Sequence, residues 1–455
     1  MENSVFRRIL DSETFNDRII VTVLLGNGFD LSCGLKTRYT NIYDEYINTP
    51  SANDNIKIYK ISISNCDTWA DYEWAMRDHM AEFKSGEDFL ECHRDFRDFM
   101  TEYLKKQEAA FNEMLDNKAA CRKADTEIHD SLERICTELG IGSIESCEWR
   151  FITFNYTNTA DRLLGKYGPV IHIHGTLDDS PVSGINDATQ FPSGLAYPIT
   201  EEIKTAFVKP VFNDEYKPDL NQKVERIIAS SNHIVAFGLS FGETDKKWLG
   251  AVLNRLAELS SADLHVFDYK CMKSYAKHGD TKISAQKKAK KQLIEKTLIP
   301  NAPEWARVSF PCVKPLFDIG PIFARFTASN QKRDRFFMRY ATFTGIIAVV
   351  FGIIMSVLYF SQSISERQSF LIIGSLAAIT YSFYFLANVF FKNDKILGTI
   401  SILSGIISFA LGLISIYLYF KKGDSVSLVL SVLLLLGGIL DVILSYLIIR
   451  NTKAS

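Results

Sequence analysis

The chain has 455 residues and a formal net charge of −2, which gives no overall electrostatic footprint for nucleic acid. Its eight cysteines include no CxxC pair, which argues against a zinc ribbon. No apolar stretch follows Met1 to direct export, so a reducing compartment is expected.

Six short apolar runs, bounded by glycine or polar residues, recur in residues 1–330. They are rich in β-branched residues and alternate with helical patterns, which is typical of parallel strands buried on both faces. The runs are Ile19–Leu25, Phe151–Phe154, Val170–Ile173, Ile234–Phe237, Leu264–Phe267 and Val308–Phe310. An α/β fold with a parallel sheet is therefore predicted.

Two long segments interrupt this pattern. Residues 39–140 form a predicted helical insertion, since apolar residues from Phe96 to Leu115 recur mostly at spacings of three and four and the other face is charged. This apolar stripe is interpreted as core. Prolines and glycines concentrate in residues 178–222, which predicts a loop-rich excursion.

The last quarter of the chain contains four hydrophobic runs. Each is long enough for a helix, rising ~1.5 Å per residue, to cross ~30 Å of hydrocarbon. They are Ala341–Phe360, Ser369–Phe391, Ile396–Phe420 and Val426–Ile449, and Asp441 is their only charged residue. Buried helices of a large soluble core are the alternative. We predict four transmembrane α-helices in residues 341–455, joined by a basic linker, 331–340, to a cytoplasmic domain.

Basic residues flanking these runs predict the topology. One side has Lys332, Arg333, Arg335, Arg339, Lys392, Lys395, Arg450 and Lys453. The other side has fewer, namely Arg367, Lys421 and Lys422. Because cytoplasmic flanks collect Lys and Arg, both termini are expected in the cytoplasm and the lipid bilayer is an expected partner.

Candidate site residues follow the predicted strands, at the edge where open α/β sheets bind ligands. After the first strand come Gly26, Asn27, Gly28 and Asp30. Glycines there let backbone N–H groups approach a phosphate closely. Position 31 is Leu, so the GxGxxG fingerprint is incomplete, and an ordinary tight turn is the alternative.

The second and third predicted strands end in an amide and two imidazoles. Asn155 can hold a ribose hydroxyl or a water, with a turn or capping role as the alternative. His172 and His174 alternate with isoleucines, so both imidazoles are expected on one face of a strand. Such a pair can bind a metal, but no acidic or Cys partner of known spacing accompanies it, and no metal is expected.

The fourth predicted strand leads into another glycine loop. Gly238 and Ser240 follow it, and Asp245 opens the next helix, where an N-cap role is the alternative. Each of these signals is weak alone. Together, glycine, amide, imidazole and hydroxyl at strand ends predict one nucleotide pocket.

These motifs resemble those of the bacterial AbiH proteins of abortive phage infection. The segments are GNGFDLSCGLKTRY, TWADYEWAM, FNYTNTADRLL, HIHGTL, VSGIND and FGLSFGETD, and the resemblance covers about residues 19–270. That family is in turn similar, more distantly, to the sirtuin-like NAD-binding fold, which implies a Rossmann-like parallel sheet.

The resemblance also implies roles for individual residues. Gly26 and Gly28, with Asn27 and Asp30 between and beside them, would line the phosphates of NAD. Asn155 would bind the nicotinamide-side ribose and His174 would be the base. Gly238, Ser240 and Asp245 would form the second glycine loop and its end. His172, Glu73 and Asp187 would support the site.

Two departures from sirtuins weaken the analogy with protein deacetylation. Sirtuins usually have an acid two residues beyond the Asn, where this chain has Thr157. Their zinc module needs paired CxxC motifs, which this sequence lacks.

The predicted function is cleavage of the nicotinamide–ribose bond of NAD by an antiphage defence protein of the bacterial inner (cell) membrane. His174 would act as base, since an unperturbed imidazole has a pKa near 6.5, and Asn155 would fix the sugar. A phage-derived trigger and a homo-oligomer are expected. Two alternatives remain: a non-catalytic nucleotide sensor coupled to a membrane pore or scaffold, and another nucleotide hydrolase or a nuclease, although the absence of a basic stripe counts against the nuclease.

Overall fold

The computed structural model describes residues 18–179, 181–241, 245–297 and 302–328. The chain divides into two compact units, residues 1–115 with 120–324 and residues 116–119 with 325–455. The predicted linker and the four predicted membrane spans lie outside the described residues. Within those residues, no helix combines the length and apolar character needed to cross a membrane.

The first unit is built on a six-stranded parallel sheet, as predicted. The strands are β1 (Ile19–Leu25), β2 (Cys147–Thr153), β3 (Val170–His172), β4 (His233–Phe237), β5 (Asp263–Phe267) and β6 (Val308–Ser309). All neighbouring pairs are parallel. The interior of β1 is completely buried, which explains why Thr22 is the only polar residue of this strand.

The second strand begins at Cys147 rather than at the predicted Phe151. The first half of this strand contains the polar residues Glu148 and Arg150, so the apolar pattern did not reveal it. Arg150 donates from Nη2 to Glu148 Oε1 at 2.6 Å and from Nη1 to Ser230 Oγ at 2.6 Å. Paired in this way, the guanidinium is tolerated in a largely buried strand.

The strand order is β3-β2-β1-β4-β5-β6. The strands β2 and β3 therefore lie on one side of β1, and the strands β4, β5 and β6 lie on its other side. Ligands of open α/β sheets bind at such a reversal, outside the carboxyl ends of the strands. This strand order predicts a ligand-binding site at the carboxyl ends of β1, β2 and β4.

The connection from β1 to β2 is helical. It contains α1 (Asn27–Ser32), α2 (Tyr39–Tyr46), α3 (Asp54–Ser62), α4 (Trp69–Asp78), α5 (Gly86–Asp116) and α6 (Lys118–Leu139). The apolar stripe of α5 is core, as predicted: Phe96 and Met100 are fully buried, and Phe96 packs against Tyr72 at a ring-centroid distance of 4.6 Å. Aromatic packing stabilises this helical layer.

The prediction of a loop-rich excursion over residues 178–222 was wrong for its second half. That part forms α8 (Glu201–Phe207), α9 (Lys209–Tyr216) and the start of α10 (Leu220–Ala229), after α7 (Thr159–Leu164) earlier in the chain. Pro210 misled the prediction, because it lies in the first turn of α9, where a missing N–H breaks no helical hydrogen bond.

The remaining helices are α11 (Lys246–Glu258), α12 (Tyr269–Lys273) and α13 (Gly279–Thr297). The last of these is lysine-rich, and Lys287, Lys288 and Lys291 are exposed on it. The net charge of −2 conceals this local concentration. The expectation that the chain has no nucleic-acid partner stays a prediction.

Candidate active site

The loops after β1 and β4 contact each other through glycine backbone. Gly28 N–H donates to Gly238 O at 3.0 Å, and a Cβ at Gly28 would lie 2.4 Å from Gly238 Cα. A Cβ at Gly26 would lie 2.4 Å from Gly238 O, and Gly238 has a φ of +63°. Close contact between the two loops thus accounts for all three glycines. Their contact with a phosphate stays a prediction.

Asn27 holds the chain that follows α1. Its side chain accepts a hydrogen bond from Thr37 Oγ1 at 2.5 Å and donates one to Thr37 O at 3.0 Å. Trp69 Nε1 donates to the same carbonyl at 3.1 Å. The Trp of the TWADYE segment therefore attaches α4 to this loop, and the side chain of Asn27 is committed to structure.

A buried carboxyl joins the ends of β1 and β2. Asp30 accepts hydrogen bonds from Asn155 Nδ2 at 3.1 Å and from Thr157 Oγ1 at 2.7 Å. Burial raises the pKa of Asp30 to about 7, although both hydrogen bonds oppose the shift. A carboxyl group therefore lies next to Thr157, although residue 157 itself is not an acid.

The side-chain amide of Asn155 donates both of its hydrogen bonds within the protein. Its Nδ2 also donates to Gly26 O at 3.1 Å. Both amide protons are therefore used in tying β2 to the glycine loop, and donation to a ribose, as the resemblance implied, requires these bonds to be replaced. These two hydrogen bonds position the glycine loop, and the contact of Asn155 with a ribose stays a prediction.

The two histidines of HIHG have different surroundings. His172 ends β3, with Nδ1 3.0 Å from Asn155 O and Nε2 2.7 Å from Asp161 Oδ2. His174 lies beyond the strand and is buried, and its ring is perpendicular to that of Phe154 at a centroid distance of 5.3 Å. His172 thus supports the loop, whereas His174 faces a separate polar cluster.

That cluster contains two buried charges, on Lys209 and Glu73, and a third on Asp245, whose side chain is 16% exposed. Lys209 Nζ lies 2.8 Å from Glu73 Oε1 and 3.2 Å from Asp245 Oδ1. His174 Nε2 lies 3.4 Å from the same Asp245 oxygen. Glu73 also accepts from Gly184 N–H at 3.2 Å. We call these four residues, Glu73, His174, Lys209 and Asp245, the charge cluster.

Burial sets the protonation states in the charge cluster. It lowers the pKa of His174 to about 3, with a further lowering by Lys209 that Asp245 only partly opposes. Burial also disfavours the charged form of Lys209, but Asp245 and Glu73 outweigh it, so the pKa of Lys209 is raised. The expectation of an imidazole with a pKa near 6.5 was therefore wrong, because it took the ring to be solvated.

Asp245 and Glu73 belong to this cluster, and Asp187 does not. Asp245 occupies the N-cap position of α11, but its side chain caps none of the described N–H groups of that helix. Asp187 is exposed and accepts from Thr189 N–H at 2.6 Å, which caps a short 3-10 turn. Ser240 is exposed in the loop after β4.

Sequence reasoning missed Lys209. It stands before Pro210 in a segment read as loop, and its two carboxylate partners are distant in sequence. The pattern alone did not distinguish it from a surface lysine. The charge cluster combines a neutral imidazole, two carboxylates and one ammonium group. It lies near the end of β2, since the ring of His174 contacts Phe154, which directly follows that strand.

The comparison with known proteins confirms the resemblance read from the motifs. The family model described as bacteriophage abortive infection AbiH matches residues 22–267, more than half of the chain. The matched span contains every site residue discussed above. No curated protein and no solved structure matches the chain. The likeness to sirtuins stays a prediction.

Proposed function

The chain belongs to the AbiH family of bacteriophage abortive infection, and from this premise we propose that it binds NAD at the carboxyl edge of its sheet and cleaves the nicotinamide–ribose bond. Its family supports a role in phage defence. The proposal includes anchoring of this domain to the bacterial cell membrane by the hydrophobic segment 341–455.

The charge cluster is the observation that carries this proposal. Burying charges costs free energy, and well-packed apolar residues would often stabilise a fold as well as a buried ion pair does. In addition, His174 Nε2 has no hydrogen-bond partner within the described part of the chain. An orphaned imidazole nitrogen beside a shared carboxylate, at the ligand-binding edge of the sheet, is characteristic of a functional site.

The cluster suits cleavage through a cationic transition state. The nicotinamide of NAD leaves as a neutral molecule from a cationic ring, so no general acid is required, and positive charge develops on the ribose as in glycoside hydrolysis. With Glu73 and Asp245 ionised and Lys209 protonated, the cluster carries one excess negative charge, which stabilises such a cation.

In this proposal His174 and Asp245 act as a pair. His174 Nε2 takes the proton of a ribose hydroxyl or of the attacking water, and Asp245 stabilises the imidazolium that forms. Because the pKa of His174 is lowered to about 3, its contribution as a base is expected near the lower end of the usual range. Asn155 and Thr157 act through Asp30 to fix the glycine loop.

The same low pKa favours a second candidate function. A histidine that does not readily accept a proton suits a pocket that binds a nucleotide without turning it over. In that case the domain is a nucleotide sensor coupled to a membrane pore or scaffold. Hydrolysis of another nucleotide is the third candidate function, since the described residues of the site do not specify which nucleobase the pocket binds.

A nucleotide panel tests these readings. The full chain, purified in detergent, is incubated with NAD, NADP, ATP and GTP, and binding and products are measured separately. The proposal expects nicotinamide and ADP-ribose from NAD. Binding of NAD without products would support the sensor, products from another nucleotide would support a different hydrolase, and failure to bind any of them would overturn the nucleotide pocket.

A further inference from the structure

A second cluster of titratable side chains lies at the opposite edge of the sheet, where the strands begin. His233 is the first residue of β4, Asp263 is the first of β5, and His265 follows two residues later. His233 and Asp263 are register partners. Since side chains alternate along a strand, all three point to the same face of the sheet.

The three side chains already converge. His233 Nδ1 lies 2.8 Å from Asp263 Oδ1, and His265 Nε2 lies 3.2 Å from Asp263 Oδ2. One ligand atom from each residue lies within 4.8 Å of the other two. The side chains are 18%, 29% and 12% exposed, for His233, Asp263 and His265 respectively, so an ion has access from solvent.

We propose that His233, Asp263 and His265 bind a divalent transition-metal ion of the Zn²⁺ class. Imidazole nitrogens and a carboxylate oxygen are ligands that such ions prefer, and three protein ligands leave a position for water. Ligands about 2.0–2.1 Å from a tetrahedral ion are about 3.3 Å apart. The observed N–O separations require only a small outward movement of the side chains.

A neighbouring hydroxyl can hold one imidazole in the tautomer that metal binding requires. Ser309 Oγ lies 2.9 Å from His265 Nδ1, on the register partner in β6. If Nδ1–H donates to this hydroxyl, the lone pair of Nε2 is directed at the ion. The expectation of no metal was based on His172 and His174 alone. The three ligands proposed here come from two strands and have no recognisable spacing in the sequence, so the sequence did not reveal them.

Metal uptake by the full chain tests the site. Tag-free protein in detergent is stripped with a chelator and titrated with Co²⁺ and then Zn²⁺. We expect one equivalent per chain, a visible Co²⁺ spectrum of tetrahedral type and a higher melting temperature with metal. A chain that takes up no ion, or shows only the spectrum of hydrated Co²⁺, would overturn the proposal.

Variants separate this site from adventitious binding. His265→Ala should abolish the Co²⁺ spectrum, and Ser309→Ala, which removes one hydroxyl, should weaken affinity about 10- to 100-fold. His278→Ala is the matched control, since His278 is exposed and lies outside the strands that carry the three ligands. Equal uptake by wild type and a folded His265→Ala variant would contradict the assignment. NAD cleavage is not part of this test.

Discussion

Asp30 is a buried carboxyl whose pKa of about 7 makes folding depend on pH. Its pKa in the unfolded chain is near 3.9, so the folded state retains a proton that the unfolded state releases between these values. The contribution of Asp30 to stability therefore falls as the pH rises from about 4 to about 7, and is constant above that.

Asp30→Asn should remove this dependence. Thr157 can rotate its hydroxyl to accept from the new amide, and Asn155 can still donate to its oxygen, so the fold is expected to persist. The melting temperature of the variant should rise relative to wild type between pH 4 and pH 7. Asp187→Asn, at an exposed cap, should show no such trend over this range. Parallel wild-type and Asp30→Asn curves would contradict the assignment.

Burial is the main cause of the low pKa of His174, and the charge of Lys209 lowers that pKa further. Removal of Lys209 should therefore raise the pKa of His174. Changing Lys209 alone would remove the ammonium group that lies between two carboxylates, which can cost about 3–5 kcal/mol, so the double variant Lys209→Met/Glu73→Gln is preferred.

The acid limb of the rate of NAD cleavage should then move to higher pH in the double variant. His174 must be neutral to act as a base, and its protonation would begin nearer neutrality without the ammonium group. Rates of the wild type and the double variant, measured from pH 3 to pH 8, test this shift. An acid limb that stays in place, in a variant that melts cooperatively, would show that His174 is not the titrating base.

Individual site residues were predicted with uneven success. His174 and Asp245 follow strands, where the sheet rule directs attention, and the structure brings them together. The link between Asp30 and Thr157 was not predictable, because it depends on how closely β1 and β2 approach. For the same reason Lys209 was missed, although its charge is central to the cluster.

The glycine loops depend on the absence of side chains. Gly28→Ala would place a Cβ 2.4 Å from Gly238 Cα, a backbone atom that cannot rotate away. We expect a loss of about 1–3 kcal/mol in the free energy of unfolding, together with a shift of the loop after β1. Chemical denaturation measures the first effect.

Gly250→Ala is the matched control for this prediction. Gly250 lies in α11, and a Cβ added there would meet no atom of the described residues within 4 Å. Alanine should therefore be neutral or stabilising there, by up to about 1 kcal/mol. Similar losses from the two substitutions would show that close contact between the loops does not constrain Gly28.

At the level of whole elements, the strands were the most predictable part of the fold. Each was found from a short apolar run, because burial on both faces of a sheet favours apolar residues, although β2 extends into a polar first half that the pattern did not reveal. The boundaries of α8 and α9 were missed, because Pro210 signals a loop unless it is known to occupy a first helical turn. Strand order was not predicted, since it depends on contacts distant in sequence.

The whole molecule is predicted to have both termini in the cytoplasm. A reporter fused after Ser455 and another inserted near Gln331 should both be active on the cytoplasmic side, because Lys and Arg are concentrated on that side of the four hydrophobic runs. The runs lie outside the described residues, so this prediction depends on sequence alone. Reporters on opposite sides would exclude an even number of spans.

Nicotinamide release by the full chain tests the central proposal most directly. Wild type, His174→Ala and the exposed control His278→Ala are compared in detergent at pH 7 with saturating NAD, after each variant is shown to melt cooperatively near wild type. We predict that wild type and His278→Ala release nicotinamide at similar rates, while His174→Ala still binds NAD and releases nicotinamide about 10²-fold more slowly. Equal rates for all three proteins, or NAD binding by wild type with no nicotinamide released, would contradict the assignment of His174 to catalysis.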